Sequence, residues 1–261
     1  MAQNHPVFRE PADPNVKIWR YMDFWKFVSL LEEGKLYFSR ADRLGDPLEG
    51  SFPQQNLQER PHWYGELVKK YEDNGLSVRF PHVQAPLPFL DALSFLRRWF
   101  CQWTYVNCWH ASEDESAAMW QLYAGRDHGI AIQSTYGRLR ACLPQDVPAG
   151  HVQYVDYLSA TTTIPEGNLL WPFVHKRKSF SHEQEIRAVI QSYPLENGSI
   201  AVGKCNSGEG VRVPVNGLDA LIEKIYVAHA SFADVVKGVV DRYGLDRGRV
   251  EPSGLDARPL Y

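Results

Sequence analysis

The chain has little surplus of either charge. Against 28 basic residues stand 31 acidic ones, for a net charge of −3. A protein held on nucleic acid mainly through phosphates usually carries a basic excess, so only local basic patches remain for such a role. No apolar run approaches the ~20 residues that span a bilayer. The opening stretch 1–15 (MAQNHPVFREPADPN) lacks the apolar centre of a secretory signal. Cysteine is scarce, and Cys101, Cys108, Cys142 and Cys205 show neither a CxxC spacing nor a pairing with His that suggests zinc. Free thiols in a reducing cytoplasm, away from membranes, are therefore the expectation. Repeats and low-complexity tracts are missing as well. What is present is a globular composition, 44% apolar and 23% charged, over 261 residues. That length buries a real core, and it predicts a single domain over 1–261 with a helical insertion or cap at 53–102.

The stretch from Asn107 to Gln133 is the most informative. Thr104 to His110 is rich in aromatic and β-branched residues and predicts a strand. Ser112 and Glu115 fit a capping box, Gly125 fits a helix stop, and Gly129 to Gln133 (GIAIQ) fits a short buried strand. Between them, Ser116, Met119, Trp120 and Tyr123 fall at i, i+3, i+4 and i+7 and so share one helix face. A hydroxyl, a thioether, an indole and a phenol form one wall of a pocket for a flat polar ligand, or an aromatic core helix with buried hydroxyls.

Around this unit the pattern alternates strands and helices. Lys17 to Met22 predicts a strand with Arg20 on the face opposite Trp19 and Tyr21. Asp23 caps a helix with the apolar stripe Phe24, Phe27, Val28 and Leu31, and Gly34 ends it. Leu36 to Ser39 is the next strand. The turn 41–50 (ADRLGDPLEG) gathers Asp46 and Glu49, most simply as a solvated acidic loop. Helices are expected around Leu67, Val68 and Tyr71 and over Leu90 to Trp99, with the proline-rich 81–88 between them. Val152 to Tyr157, Ser199 to Val202, Val211 to Val215, Glu223 to Ala228 and Arg249 to Glu251 read as strands, and Phe232 to Tyr243 as a helix. From Glu183 to Ile190, Ile186, Ala188 and Ile190 alternate with Glu183, Glu185 and Arg187. That predicts a strand with one core face and one charged face.

Taken together, these residues resemble a large bacterial family of domains of unknown function, the one numbered twenty-nine seventy-one. The likeness covers most of the chain. It runs from Arg20-Tyr21 through Gly34 to Ser39, the GDPLEG segment, Cys108-Trp109, Glu115 to Tyr123 and Gly129-Ile-Ala-Ile132, to Lys176, Phe180, Glu183, Glu185 and Arg187. At Gly45 the chain departs from that pattern, which usually has Asn. The order of elements also resembles the ADP-ribosyltransferase fold, in which NAD lies across a split sheet with a His or Arg on the first strand and a Glu on a late one. Within that fold, His182, Glu185 and Ile225-Tyr-Val227 follow the order of the DNA-targeting toxin branch. The resemblance implies an α+β fold with a split, mostly antiparallel mixed sheet, and NAD as substrate without a metal. It also implies a toxin or phage-defence effector with an immunity or antitoxin partner. The acceptor, whether protein, nucleic acid, small molecule or water, stays open.

On this reading Glu185 is the catalytic carboxylate for an oxocarbenium-like transition state. Arg20, Lys176 and Arg187 are candidates for the pyrophosphate. Tyr21, Ser39, Trp109, Ser116, Trp120 and Tyr123 are candidates for the rest of the dinucleotide, and Asp46, Glu49 and Glu183 for supporting charge. Arg20, Ser39, Trp109, Tyr123 and Glu185 are expected to line one cleft. Two other classes fit the same residues. Asp46, Glu49, Glu183 and Glu185 are enough carboxylates for Mg²⁺ in a nuclease, although Glu185-Ile-Arg187 is not the Glu-x-Lys of restriction-type sites. A nucleotide-binding sensor without turnover is the third. Cys108 and His110 share a strand face, but a cysteine-protease site needs a third orienting group that the sequence does not supply.

Overall fold

A computed structural model describes residues 5–74, 87–125 and 128–257. Strand β1 (Lys17–Asp23) runs straight into helix α1 (Phe24–Glu33), because the Asp23 carboxylate accepts the Lys26 N–H at 2.8 Å and caps the first turn. Gly34, at φ +63°, closes that helix in a left-handed conformation that costs glycine little. Strand β2 (Lys35–Arg40) then buries Leu36 and Phe38 at alternate positions. Helices α2 (Gln54–Trp63), α3 (Gly65–Asp73) and α4 (Phe89–Cys101) follow. Most of the proline-rich stretch, 81–86, lies outside the described residues.

Strand β3 (Thr104–Ala111) leads to a single turn α5 (Ala117–Met119), which continues as a π-turn (Trp120–Ala124) before β4 (Gly129–Thr135). Next come α6 (Tyr136–Cys142), β5 (Ala149–His151), β6 (Gln153–Val155), β7 (His175–Arg177) and β8 (Glu185–Gln191). The chain continues through β9 (Leu195–Glu196), β10 (Ser199–Ile200), β11 (Gly210–Pro214), α7 (Leu218–Leu221), β12 (Lys224–Val227), α8 (Ala233–Arg242) and β13 (Val250–Pro252).

The architecture is α+β around one mixed, mostly antiparallel sheet of nine strands. Its order is β11-β2-β3-β1-β4-β12-β13, with β8 also on β3 and β5 on β8. Among the described residues, only β12 and β13 pair in parallel within this sheet. Strand β3 is the hinge of the arrangement. One edge pairs with β8 along its length, from Thr104 opposite Gln191 to His110 opposite Glu185. On the other edge β2 takes the beginning, with Val106 opposite Ser39, and β1 takes the end, with His110 opposite Trp19. Asn107, Cys108 and Trp109 fall between, where β1 and β2 part. The sheet is split there.

Alternation along β1 sends Ile18 and Met22 into the large core under α1, α6 and α8, and Trp19 and Tyr21 into a smaller cluster with Met119, Trp120 and Ala131. Among the described residues no helix is long and apolar enough to cross a membrane. All four cysteines are free.

Several local expectations need correcting. Ser112 and Glu115 form no capping box. Ser116 caps the turn instead, while the Glu115 carboxylate accepts from Ser253 Oγ at 2.6 Å, the Gly254 N–H at 2.8 Å and Trp120 Nε1 at 3.0 Å. A distant loop has outcompeted the local cap. Glu183 is not on a strand either: it ends a 3₁₀ turn (Lys178–Glu183), and Gln184 at φ +39° turns the chain before β8 begins. The strands expected at 152–157 and 199–202 shrink to β6 and β10.

Candidate active site

Where the sheet splits, a cleft of about 990 Å³ opens, at the upper end of the ~300–1,000 Å³ usual for small-molecule sites. Arg20 and Tyr21 reach it from β1, Tyr37 and Ser39 from β2, Cys108, Trp109 and His110 from β3, and Glu185 and Arg187 from β8. Tyr123 of the π-turn, Lys176 of β7 and Glu183 complete the wall. Arg20, Ser39, Trp109, Tyr123 and Glu185 thus share one cleft although they are scattered along the chain. Register puts Arg20 and Trp109 on one face of the sheet and Glu185 and His110 on the other. They meet only because the split lets the cleft reach both faces.

The wall on the Glu185 side is a chain of alternating charges. Tyr123 Oη donates to Glu183 Oε1 at 2.8 Å, and Lys176 Nζ bridges Glu183 Oε2 at 2.5 Å and Glu185 Oε2 at 3.3 Å. Arg187 then grips Glu185 with two bonds, Nε to Oε1 at 2.6 Å and Nη2 to Oε2 at 3.1 Å. Its remaining N–H groups go to Glu49 and to the Phe173 carbonyl. The guanidinium is saturated, so no N–H of Arg187 is left for a pyrophosphate. Burial alone would raise the carboxyl of Glu185, but Arg187 and Lys176 outweigh it and hold the group down at about 2. Lys176 is raised in turn: burial opposes its charge, and Glu185 and Glu183 overcome that. For Glu49, burial wins over Arg187, and its carboxyl stands above the ordinary value. The thiol of Cys108 is pushed up by burial and lies against Glu185.

Arg20 presents the opposite situation. Its Nη2 donates to the Tyr37 carbonyl at 3.0 Å across the split, and its guanidinium lies 5.9 Å from the centre of the Trp109 ring. Nη1 is shut off from solvent and has no hydrogen-bond partner among the described residues. Desolvation pulls the group down to about 10. A half-buried, incompletely satisfied cation facing a cleft is a place where an anion would be stabilised. Trp109 is fixed beneath it by its own Nε1, which donates to Asn107 Oδ1 at 2.7 Å.

Other candidates are placed differently from what the sequence suggests. Trp120 is buried in the cluster with Trp19 and Tyr21 and does not line the cleft, and Ser116 is the cap behind it. The π-turn is the reason: it widens the helix, so Trp120 points inward while Tyr123 reaches the cleft. Asp46 and Glu49 are not a solvated loop. Both are buried, Asp46 against Arg177 at 2.7 Å and Glu49 against Arg187. Glu49 lies behind the cleft wall rather than in it. All four carboxylates considered for a metal are paired with cations, and among the described residues no group of three or more His, Cys, Asp or Glu side chains can hold an ion. Sequence reasoning passed over Trp25, 78% exposed at the rim, and His110 as a cleft residue.

No protein-family model matches the chain, and no curated protein does. Among solved structures it is similar to a DarT from Thermus sp. 2.9 in complex with ADP-ribosylated single-stranded DNA. That likeness has 11% identity over 96% of this chain and all of the other, with a TM-score of 0.41.

Proposed function

We propose that the cleft binds NAD and that the chain breaks the bond between nicotinamide and ribose, passing ADP-ribose to an acceptor or to water. The observation that carries this reading is the Glu185 carboxylate, kept ionised by Arg187 and Lys176 in the wall of a dinucleotide-sized cleft. Breaking an N-glycosidic bond develops positive charge on the ribose, and a fixed carboxylate beside it lowers that barrier. An acid held at about 2 is a poor proton acceptor near neutrality. Glu185 therefore acts by its charge. Arg20 offers its unpartnered Nη1 to the pyrophosphate, with Trp109 holding the guanidinium in place. Tyr37 and Tyr123 at the walls and Trp25 at the rim supply flat surfaces for the rings. The family resemblance in motif order is what suggests an effector, a toxin or phage-defence protein, with an immunity partner.

The test is release of nicotinamide from NAD by the purified protein and by Glu185→Gln, under conditions where both are folded by circular dichroism. Loss of charge assistance should slow release by about a hundredfold or more. Equal rates would remove Glu185 from the mechanism. If wild type stabilises thermally with NAD but releases nothing, the cleft belongs to a nucleotide sensor. No binding and no release would end the NAD reading.

A further inference from the structure

Both carboxylate oxygens of Glu185 are taken up by Arg187 and Lys176, and a second group in the wall is placed to serve as a base. His110 lies directly opposite Glu185 in the β3–β8 ladder. Directly opposed residues of an antiparallel pair project on the same face, with Cβ atoms ~4.5–5.5 Å apart. The ring is buried except for a sliver, and it lines the cleft. Its Nδ1 lies 2.6 Å from the Glu183 carbonyl oxygen. A carbonyl can only accept, so Nδ1 must carry the proton and donate it. In the neutral ring this leaves the lone pair on Nε2. The tautomer is set by the backbone, and Tyr21 packs against the ring at 6.3 Å between centroids.

We propose that His110 is the general base of the reaction, taking the acceptor's proton at Nε2 while Glu185 stabilises the ribose. The proposal rests on the NAD reading above. In hydrolysis, the bond between C1′ and the nicotinamide nitrogen breaks and its electron pair leaves with nicotinamide. A water lone pair forms the new C1′–O bond, and the water proton passes to Nε2, making an imidazolium that donates from both nitrogens. No oxidant or further reactant is needed. The charged and titratable groups that share this wall are Glu185, Arg187, Glu183, Lys176, Cys108, Tyr21 and Tyr123.

His110→Asn is the informative variant, because the Asn amide can replace Nδ1 as donor to the Glu183 carbonyl while Nε2 disappears. With NAD and water as substrates, kcat should fall by about 10²–10⁴. KM should hold within about threefold, and the acid limb of the pH–rate profile should vanish. A His110→Asn protein with wild-type kcat and an unchanged acid limb would overturn the assignment. Should that variant not fold, the wild-type protein decides by ¹⁵N NMR. The neutral ring must be protonated at Nδ1, and its titration must coincide with the acid limb of kcat. An Nε2–H tautomer, or a titration away from that limb, refutes the base. If wild-type protein releases no nicotinamide, the NAD reading itself fails, which is a different outcome from turnover that is indifferent to His110.

Discussion

Replacing Glu185 by Gln leaves the Arg187 guanidinium and the Lys176 ammonium in the interior with one carboxylate fewer between them. The alternation of residues predicts a charged face for this strand, yet the Glu185 side chain is only 3% exposed. Breaking one partner out of a buried ion pair typically costs about 3–5 kcal/mol, because the remaining charge stays desolvated. The pH dependence has a sign. The Glu185 carboxyl is depressed from 4.5 to about 2, so its stabilising contribution is full above the unfolded value and is lost as pH falls through the folded one. Glu49 is shifted upward by burial and contributes in the opposite sense, lost as pH rises through its folded value. Comparing wild type with Glu185→Gln isolates the first contribution. In urea unfolding the stability gap should be about 3–5 kcal/mol at neutral pH and should narrow between about pH 4.5 and 2. A gap below about 1 kcal/mol, or one indifferent to pH, would mean that Glu185 behaves as a surface ion.

At the scale of elements, the π-turn separates two aromatic residues that a regular helix would keep together. Trp120 is packed with Trp19, Tyr21 and Met119, whereas Tyr123 is 45% exposed, lines the cleft and donates to Glu183. Trp120→Ala should therefore lose about 3–5 kcal/mol of stability by emptying a core site. Tyr123→Phe should lose only about 1 kcal/mol, the net worth of one hydrogen bond, while altering nicotinamide release. Urea midpoints alongside release rates would check both; a stable Trp120→Ala protein defective only in binding would restore the indole to the pocket. The same comparison shows what one sequence conveys. Asp23, Gly34 and the alternating β1 and β2 announce themselves, since capping, left-handed turns and period-two burial are local. Helix α2 does not, because QQNLQERPHW has no apolar stripe and carries Pro61 inside it. The left-handed Gln184, which takes Glu183 off the strand, has no local signature either. Nor does the β3–β8 register, which turns the Cys108 and His110 pair from an unsupported protease dyad into neighbours of Arg187 and Glu185.

For the whole molecule, the distribution of charge matters more than its sum. The chain carries a net −3, yet seven lysines and arginines line the cleft against four acids. Four of the seven are ion-paired: Lys176 and Arg187 with Glu183, Glu185 and Glu49, Lys26 with Asp23, and Arg212 with Glu33. Lys35, Arg43 and Arg20 line the cleft as well, and Arg20 is both partly desolvated and short of a partner among the described residues. An anion entering this field is drawn in by charges whose reach is set by salt, about 10 Å at 0.1 M and about 3 Å at 1 M. ADP-ribose, which carries the pyrophosphate and is not consumed, should bind less well as sodium chloride rises. Adenosine, which lacks phosphate, should bind with little salt dependence. The part of the slope due to Arg20 is separable, since a desolvated contact is screened less than the rim cations. Arg20→Gln should accordingly weaken ADP-ribose about ten- to a hundredfold, the worth of one charge-assisted hydrogen bond, at low and high salt alike. Rim substitutions such as Lys35→Gln should instead flatten the salt slope and cost little above 0.5 M. Isothermal titration of the two ligands across salt concentrations reads all of this at once. Parallel salt curves for ADP-ribose and adenosine would place the phosphates outside the cleft, and the unpartnered guanidinium of Arg20 would then need another explanation.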